Sequence, residues 1–572
     1  MVEERGDTLG EKACQPLRLQ PDLPNAPLLP LSGGALIASI SGCTTCRQRD
    51  LSPNDAHVVH YVMESKYASL AAVDLGSNSF HCQVGRAVGD QIYPLDALRE
   101  PVRLGAGLGR GKMLDEASQA RALDCLERFG ERLRGFDRRA VRAVGTNTLR
   151  VAKNAGAFLN RARAALGFPI EVIAGREEAR LIYLGVQHGL PLSNEKRLIV
   201  DIGGGSTEFM IGSGFKPIKL ASLYMGCVSY SLRFFPDGRI TRSAMKQAEL
   251  AARSELQPIV AGFSRKQWQH AVGSSGTVRA LAEIAQANGF GNGALTPASL
   301  ERLRASLVRA GDLQHLDLAE VRPDRLPVLP GGLAILSAVL SELQVNEMAV
   351  ASGAMREGLL YDLLGRVHRH DQRDVTVAQF MQRYHVDASQ ARRVSALAQS
   401  LQRMLVPALG EADDGAAALI GWAAKLHELG ISVAYSGYHK HSAYILEKAD
   451  MPGFSRDGQV QLSRLVLAHR RSLKKIHPLI EGAVEWPSVL ALRLAALFYR
   501  GRAEIALPAM QARAEDGRFR LHLDREWLAR NPLTATTLRE EVEEWKKIGF
   551  ELQVPGLEDA EIVANATPVA VG

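Results

Sequence analysis

The sequence predicts an α/β protein built on a duplicated domain, followed by an all-α region and a small α+β unit. Three observations carry this. In Arg197–Ile211 the apolar run Leu198–Val200 delivers Asp201 to a turn of Gly203, Gly204, Gly205, Ser206 and Thr207, and Glu208 opens the return strand. Ser69–Val84 repeats that grammar a domain's length earlier, with Asp74 followed by Gly76, Ser77, Asn78 and Ser79. Beyond Arg366 the pattern changes to helices rich in alanine, leucine and arginine that continue to about residue 505.

Each turn has the makings of a phosphate cradle. Glycines let backbone N–H groups approach an anion, and Ser77, Asn78, Ser79, Ser206 and Thr207 add side-chain donors. The carboxylates of Asp201 and Glu208 bracket the second turn, where they can hold a divalent cation beside a bound phosphate. Asp74 is the matching, weaker metal candidate of the first turn. A third glycine turn, Gly273–Thr277, contributes Gly276. Two such hairpins across a cleft, with a third turn nearby, resemble the actin-like, sugar-kinase and heat-shock ATPase superfamily, whose domains have a ribonuclease H-like (ASKHA) fold.

With 572 residues the chain has room for several domains. The net charge of +7 is mild for that length but favours a polyanionic partner over a cationic one. No apolar run reaches membrane-spanning length. The six cysteines are too few and too scattered for a disulfide framework. These features predict a cytoplasmic protein, with membrane association at most peripheral.

Residues 1–66, broken by Pro16, Pro21, Pro24, Pro27 and Pro30, read as a disordered leader or a start-site artefact upstream of Met63. Residues 67–181 form the first α/β domain. Within it Gly105–Gly111 lacks the dinucleotide-binding spacing and reads as a mobile loop. Glu116–Arg134 reads as a helix and Val141–Val144 as a strand, and the following Arg150 either meets a phosphate or lies on the surface. After a strand at 169–173, Gly175–Arg180 opens a helix. Glu178 shares the stripe of Leu181, Ile182 and Gly185 and faces inward, a candidate general base. Glu177 is turned about 100° away and is expected to tolerate substitution.

Residues 182–365 form the second α/β domain, with helices at 241–259 and 297–309 and a late strand at 347–352. Residues 366–505 are helical. Residues 506–556 form a small α+β unit, with strands at 519–524 and 550–554 around a helix at 534–547, and 557–572 is a frayed tail.

Taken in order, Asp74–Phe80, Gly175–Arg180, Asp201–Glu208, Gly273–Thr277 and Ser352–Gly358 resemble the exopolyphosphatase/guanosine pentaphosphate phosphohydrolase family over roughly Ser69 to Val554. The resemblance implies that Glu178 is the base and that Asp201, Gly203 and Glu208 belong to the catalytic site. It also implies that the helical region is an HD-like domain. His427-Glu428 stands there in place of the His-Asp of a true HD metal box, which puts a second metal in doubt.

The reading is magnesium-dependent hydrolysis of a terminal phosphoanhydride, with manganese as a substitute and a monovalent cation such as potassium as an addition. The expected substrate is inorganic polyphosphate, its chain held by His439, Lys440, His441, Arg470, Arg471, Lys474 and Lys475. Guanosine pentaphosphate, a substrate of the stringent response, is the alternative. A homodimer without nucleic acid is expected. An ATP-binding protein of the actin or heat-shock kind is the reading from another class, and a sugar kinase is a third.

Overall fold

The computed structural model describes residues 67–557 except 192, 369, 408–413, 481–485 and 516. The first repeat starts as an antiparallel meander, β1 (Ser69–Leu75), β2 (Phe80–Val88) and β3 (Gln91–Glu100). Helix α1 (Glu116–Arg132) follows. Its N-cap Asp115 accepts from the Ser118 N–H, and its buried stripe is Ala122, Cys125, Leu126 and Phe129, with Ala120 exposed and Leu123 half-buried. Strand β4 (Val141–Gly145), helices α2 (Asn147–Val151) and α3 (Ala155–Leu166), strand β5 (Ile170–Val172) and helix α4 (Gly175–His188) complete the series. β4 and β5 extend the sheet in parallel, giving the order β3-β2-β1-β4-β5.

The second repeat contains β6 (Arg197–Ile202), β7 (Thr207–Ser213), β8 (Lys216–Leu223), α5 (Cys227–Phe234), α6 (Arg242–Val260), β9 (His270–Ser274), α7 (Ser275–Ala287), α8 (Pro297–Ala310), α9 (Leu329–Glu342), β10 (Ala349–Val350) and α10 (Met355–Val367). Its sheet has the matching order, β8-β7-β6-β9-β10, with the same strand directions. Even the register breaks correspond, at Val84/Gly85 and at Ile211/Gly212. Two sheets of this ribonuclease H-like topology make the actin-like fold.

Helices α4 and α10 tie the repeats together. α4, from the first repeat, packs on β7 and β8, whereas α10, from the second, packs on β1. They cross so closely that a Cβ on Gly185 would strike the Ala354 carbonyl and one on Gly358 the Leu181 carbonyl. Their apolar faces join Leu70, Ala72 and Val144 of one sheet to Ile199, Met210 and Val272 of the other. The boundaries expected at 181/182 and 365/366 therefore fall inside continuous helices.

The remainder comprises α11 (Gln372–Arg383), α12 (Ala388–Leu405), α13 (Asp414–Leu426), α14 (Tyr438–Lys448), α15 (Arg456–Ala468) and α16 (Trp486–Phe498). A three-stranded sheet of β11 (Gln511–Glu515), β12 (Arg518–His522) and β13 (Glu551–Gln553) follows, with α17 (Arg525–Arg530) and α18 (Pro532–Lys546) between its last two strands. One apolar core runs from Val377 to Leu557 through Trp486, Phe519 and Trp545, so no core is divided at 505/506.

Other expectations shift. The late strand shrinks to Ala349–Val350. The glycine stretch after Val102 is no free loop: Leu104–Gly107 is a 3-10 turn, and the Arg103 and Gly105 N–H groups donate to the Asn78 and Ser77 carbonyls. The strands β3 and β8 were invisible because neither alternates cleanly and each carries a proline, Pro94 and Pro217. The leader and the tail from 558 lie outside the described residues. Among the described residues no helix is long and apolar enough to cross a membrane, and Cys82, Cys125 and Cys227 are buried and free.

Candidate active site

The two glycine turns meet face to face. A Cβ on Gly204 would lie 2.9 Å from Ser77 Cβ, and one on Gly205 would lie 2.6 Å from Asn147 Oδ1. Both turns are braced from behind. Thr148 Oγ1 donates to Ser77 Oγ at 2.7 Å, while the Cys227 and Val228 N–H groups at the start of α5 donate to the Gly203 and Gly204 carbonyls. Around the first turn Asp74 Oδ1, Asn78 Oδ1, Ser79 Oγ and Asn147 Nδ2 are buried without a hydrogen-bond partner. Such a concentration of unsatisfied polar atoms marks a place shaped for a ligand. Thr207 is different: its hydroxyl donates to the Met225 carbonyl at 2.6 Å, so that donor is already committed.

Asp201 and Glu208 are direct partners across the β6–β7 pair and share one face. Two like charges so placed repel. Glu208 Oε1 accepts from Ser222 Oγ at 2.9 Å. Burial, with Glu178 adding to it, pushes Asp74 up to about 8. Burial likewise pushes Asp201 up to about 7 against a hydrogen bond from Ser274. Glu208 is raised well above its ordinary value by burial, then by Glu178 and Asp201.

Each of these shifts is what a bound cation would reverse, so a divalent ion fits the donor set. Among the described residues, however, no three His, Cys, Asp or Glu side chains close into a metal cage. The fit is to an ion that takes one or two carboxylates and completes its shell with water and phosphate oxygens, as magnesium commonly does.

Glu178 lies in the first turn of α4, and Arg150 Nη1 donates to its Oε2 at 2.6 Å and to the Ile173 carbonyl at 3.0 Å. The Arg150 side chain is only 4% exposed, so this is no surface arginine. Glu177 does face away from the cleft, but into a second buried charge cluster rather than solvent. Arg180 grips both of its oxygens at 2.8 Å, Arg142 lies at 3.7 Å, and the Gly453 N–H of the helical half donates to it at 2.9 Å. Asp362 of α10 pairs with Arg142 and Arg180 in the same cluster. The expected tolerance of Glu177 is thereby corrected: helical phase gave its direction but not what lies there.

Gly276 stands in the first turn of α7, and the Arg325 guanidinium fills the space where its Cβ would be. That arginine belongs to a group that sequence reading missed. His81, the cross-strand partner of Asp74, is pulled down to about 3 by burial and by Arg356, Arg99, Arg325 and Arg279. Arg356 Nη1 is 3.5 Å from His81 Nδ1. Burial and then Arg99 also draw Arg325 below the ordinary arginine value. Only Arg356 fell inside a motif, Ser352–Gly358. The others come from separate elements and left no local signal.

The basic track expected in the helical half divides. His439 is buried, and burial with Arg470 beside it pulls it down to about 4, so it carries no charge at neutral pH. His441 and Arg470 are half-buried, whereas Lys440, Arg471, Lys474 and Lys475 are exposed. Glu428 of the HD-like box is held by Arg502 at 2.6 Å.

Comparison with known proteins gives the chain a family. The Ppx/GppA phosphatase family matches residues 84–367, and the Ppx/GppA phosphatase domain III matches residues 372–542. A Vibrio cholerae protein named guanosine-5'-triphosphate,3'-diphosphate pyrophosphatase is 39% identical over 492 residues, which is 85% of this chain and 97% of that protein. The chain belongs to the Ppx/GppA phosphatase family. A Vibrio atlanticus protein of the same name is 38% identical over 486 residues, 85% of this chain and 97% of its own. Among solved structures, an exopolyphosphatase from Cytophaga hutchinsonii is 27% identical with a TM-score of 0.48, covering 52% of this chain and 98% of its own. The Aquifex aeolicus PPX-GPPA enzyme is 25% identical with a TM-score of 0.44, covering 51% and 98%. The Ppx/GppA chain described here is thus a phosphatase, a hydrolase.

Proposed function

We propose that this phosphatase removes the terminal phosphate from the 5'-triphosphate arm of guanosine pentaphosphate. The arginine group around His81 carries the choice of substrate. A second compact cationic region beside the glycine turns suits an anion with phosphates on two separate arms. The name that the Vibrio relatives carry supports the same reading.

In this reading Ser77, Asn78, Ser79 and the Gly203–Ser206 turn hold the terminal phosphate. Its oxygens compete for Arg150, and a guanidinium drawn toward phosphate leaves Glu178 a stronger base. Glu178 orients a water and accepts its proton as the water oxygen bonds to phosphorus and the bridging P–O bond breaks. Magnesium at Asp201 and Glu208 supplies neutralisation of phosphoryl charge when bound.

Exopolyphosphatase activity is the second reading, favoured by the exposed Arg471, Lys474 and Lys475 of the helical half. Phosphate release measured side by side on guanosine pentaphosphate and long-chain polyphosphate separates the two. The expected kcat/KM is at least about tenfold higher on the nucleotide, the scale of one charge-assisted contact. Arg356→Ala should erode that preference. Equal or faster hydrolysis of polyphosphate would reverse the assignment.

A further inference from the structure

A cavity of about 940 Å³ opens in the helical half among the turns after α13 and α15 and the helices α16 and α18. No residue before Gln390 lines it, whereas every cleft residue described above precedes Glu357. Its buried wall is polar: His427, Glu428, Tyr438 and His469 lie there, with Tyr438 Oη 3.4 Å from His469 Nε2.

The charges in this wall are unevenly matched. Glu428 is paired with Arg502, Glu541 with Arg493, Glu544 with Lys547 and Glu543 with Lys546, and the fifth lining carboxylate, Glu540, is exposed. Among the described residues Arg470, Arg471 and Arg500, which also line the cavity, have no carboxylate within salt-bridge reach. The turn that carries the first two is deliberately held. Buried Arg493 donates to the Ala468 carbonyl at 2.7 Å and to the Arg471 carbonyl at 3.1 Å while Glu541 grips its other side. Arg471 is kept at φ 68°, a left-handed conformation that costs a residue with a Cβ. Arg470 lies over the Tyr438 ring at 4.6 Å.

We propose that this cavity is a second anion site, separate from the catalytic cleft, for a compact phosphate-bearing ligand of nucleotide size. Two neighbouring guanidiniums on a pinned turn, with Arg500 beside them, offer planar donors to phosphate oxygens. The rim residue Tyr435, with its ring centroid 6.2 Å from that of Tyr438, offers a face for a base. The volume lies in the range of small-molecule sites. The histidines do not provide a metal cage among the described residues, so the cavity departs from the metal chemistry that its HD-like position suggests.

The test is calorimetric titration of the full chain in EDTA, with guanosine diphosphate and with pyrophosphate as probes. EDTA removes the metal-assisted part of cleft binding, and Arg356→Ala reports any part that remains, so a failure here is distinguishable from a failure of the substrate reading above. Wild type is expected to bind at one site. Arg471→Gly should weaken binding about tenfold, the loss of one charge-assisted contact. It should not lower the melting temperature, because glycine is at ease at a positive φ. Arg356→Ala, in the cleft, should leave the isotherm unchanged. Equal affinity for the two probes would assign recognition to the phosphates alone, and tighter nucleotide binding would bring in Tyr435. Unchanged affinity in Arg471→Gly, loss of binding in Arg356→Ala, or no binding of either probe would each overturn the proposal.

Discussion

Asp201 and Glu208 face each other across a single strand pair with little water to separate their charges. Without metal, the folded chain relieves this repulsion by binding protons. Burial pushes Asp201 up to about 7 and Asp74 up to about 8, both well above the ordinary carboxylate range. Between those values and the unfolded ones the native state holds more protons than the unfolded chain. Their contribution to stability is therefore present in acid and lost as pH rises through about 7 and 8. Magnesium binds the ionised form, so its stabilising shift in melting temperature should be larger at pH 8 than at pH 6. Asp201→Asn should raise the metal-free melting temperature at pH 8 and remove most of the magnesium shift. Calorimetry without substrate checks this. A shift that is equal at both pH values, or intact in the variant, would take these carboxylates out of metal binding.

At the scale of one element, α4 carries two adjacent glutamates with separate tasks. Glu178 meets Arg150 at the cleft, while Glu177 is locked to Arg180, Arg142 and the Gly453 N–H. Breaking a buried ion cluster by removing one partner costs about 3–5 kcal/mol. Glu177→Gln should thus lower the melting temperature by several degrees and reduce kcat only through movement of α4, with Glu177→Asp restoring part of both. Glu178→Gln leaves buried Arg150 without its partner but also removes the charge that repels Asp74, Asp201 and Glu208, so it should lower melting less than Glu177→Gln while lowering kcat by about 100-fold, the scale of a lost general base. Melting curves and kcat for the three variants decide it, and a Glu177→Gln protein as stable as wild type would dismiss the anchoring role. The sequence pattern separated the two side chains because 3.6-residue periodicity is local. It could not foresee the anchor, since Asp362 and Gly453 arrive from distant parts of the chain.

Over the whole molecule the helical half should be the more sensitive to acid. In the helical half His427 and His469 pack edge to face with centroids 5.0 Å apart, and His439 lies 6.3 Å from His469. Burial lowers all three below the ordinary imidazole value of 6.5. The unfolded chain then binds more protons, so the stability they contribute is full above pH 6.5 and is lost as pH falls toward their folded values. His81 and His188, also lowered by burial, act in the same sense in the α/β half, but Asp74, Asp201 and Glu208 oppose them there. Hydrogen exchange at pH 5 should therefore show α13–α16 losing protection before β1 and β6. Uniform loss across the chain would contradict it.

The sequence by itself determined the duplicated hairpins, the ordered motifs and the inward face of Glu178. Each is written within a few consecutive residues: a strand, a turn that needs glycine and hydroxyls, or a helical stripe. Tertiary structure alone decided that α4 and α10 exchange sheets and that the helical and small sheet regions share one core. It also drew Arg99, Arg279, Arg325 and Arg356 around His81 and placed His439 inside rather than on a basic surface. Those outcomes depend on side chains far apart in the chain burying one another, and burial of a charge or an imidazole is set by whatever packs over it, which no local spacing records.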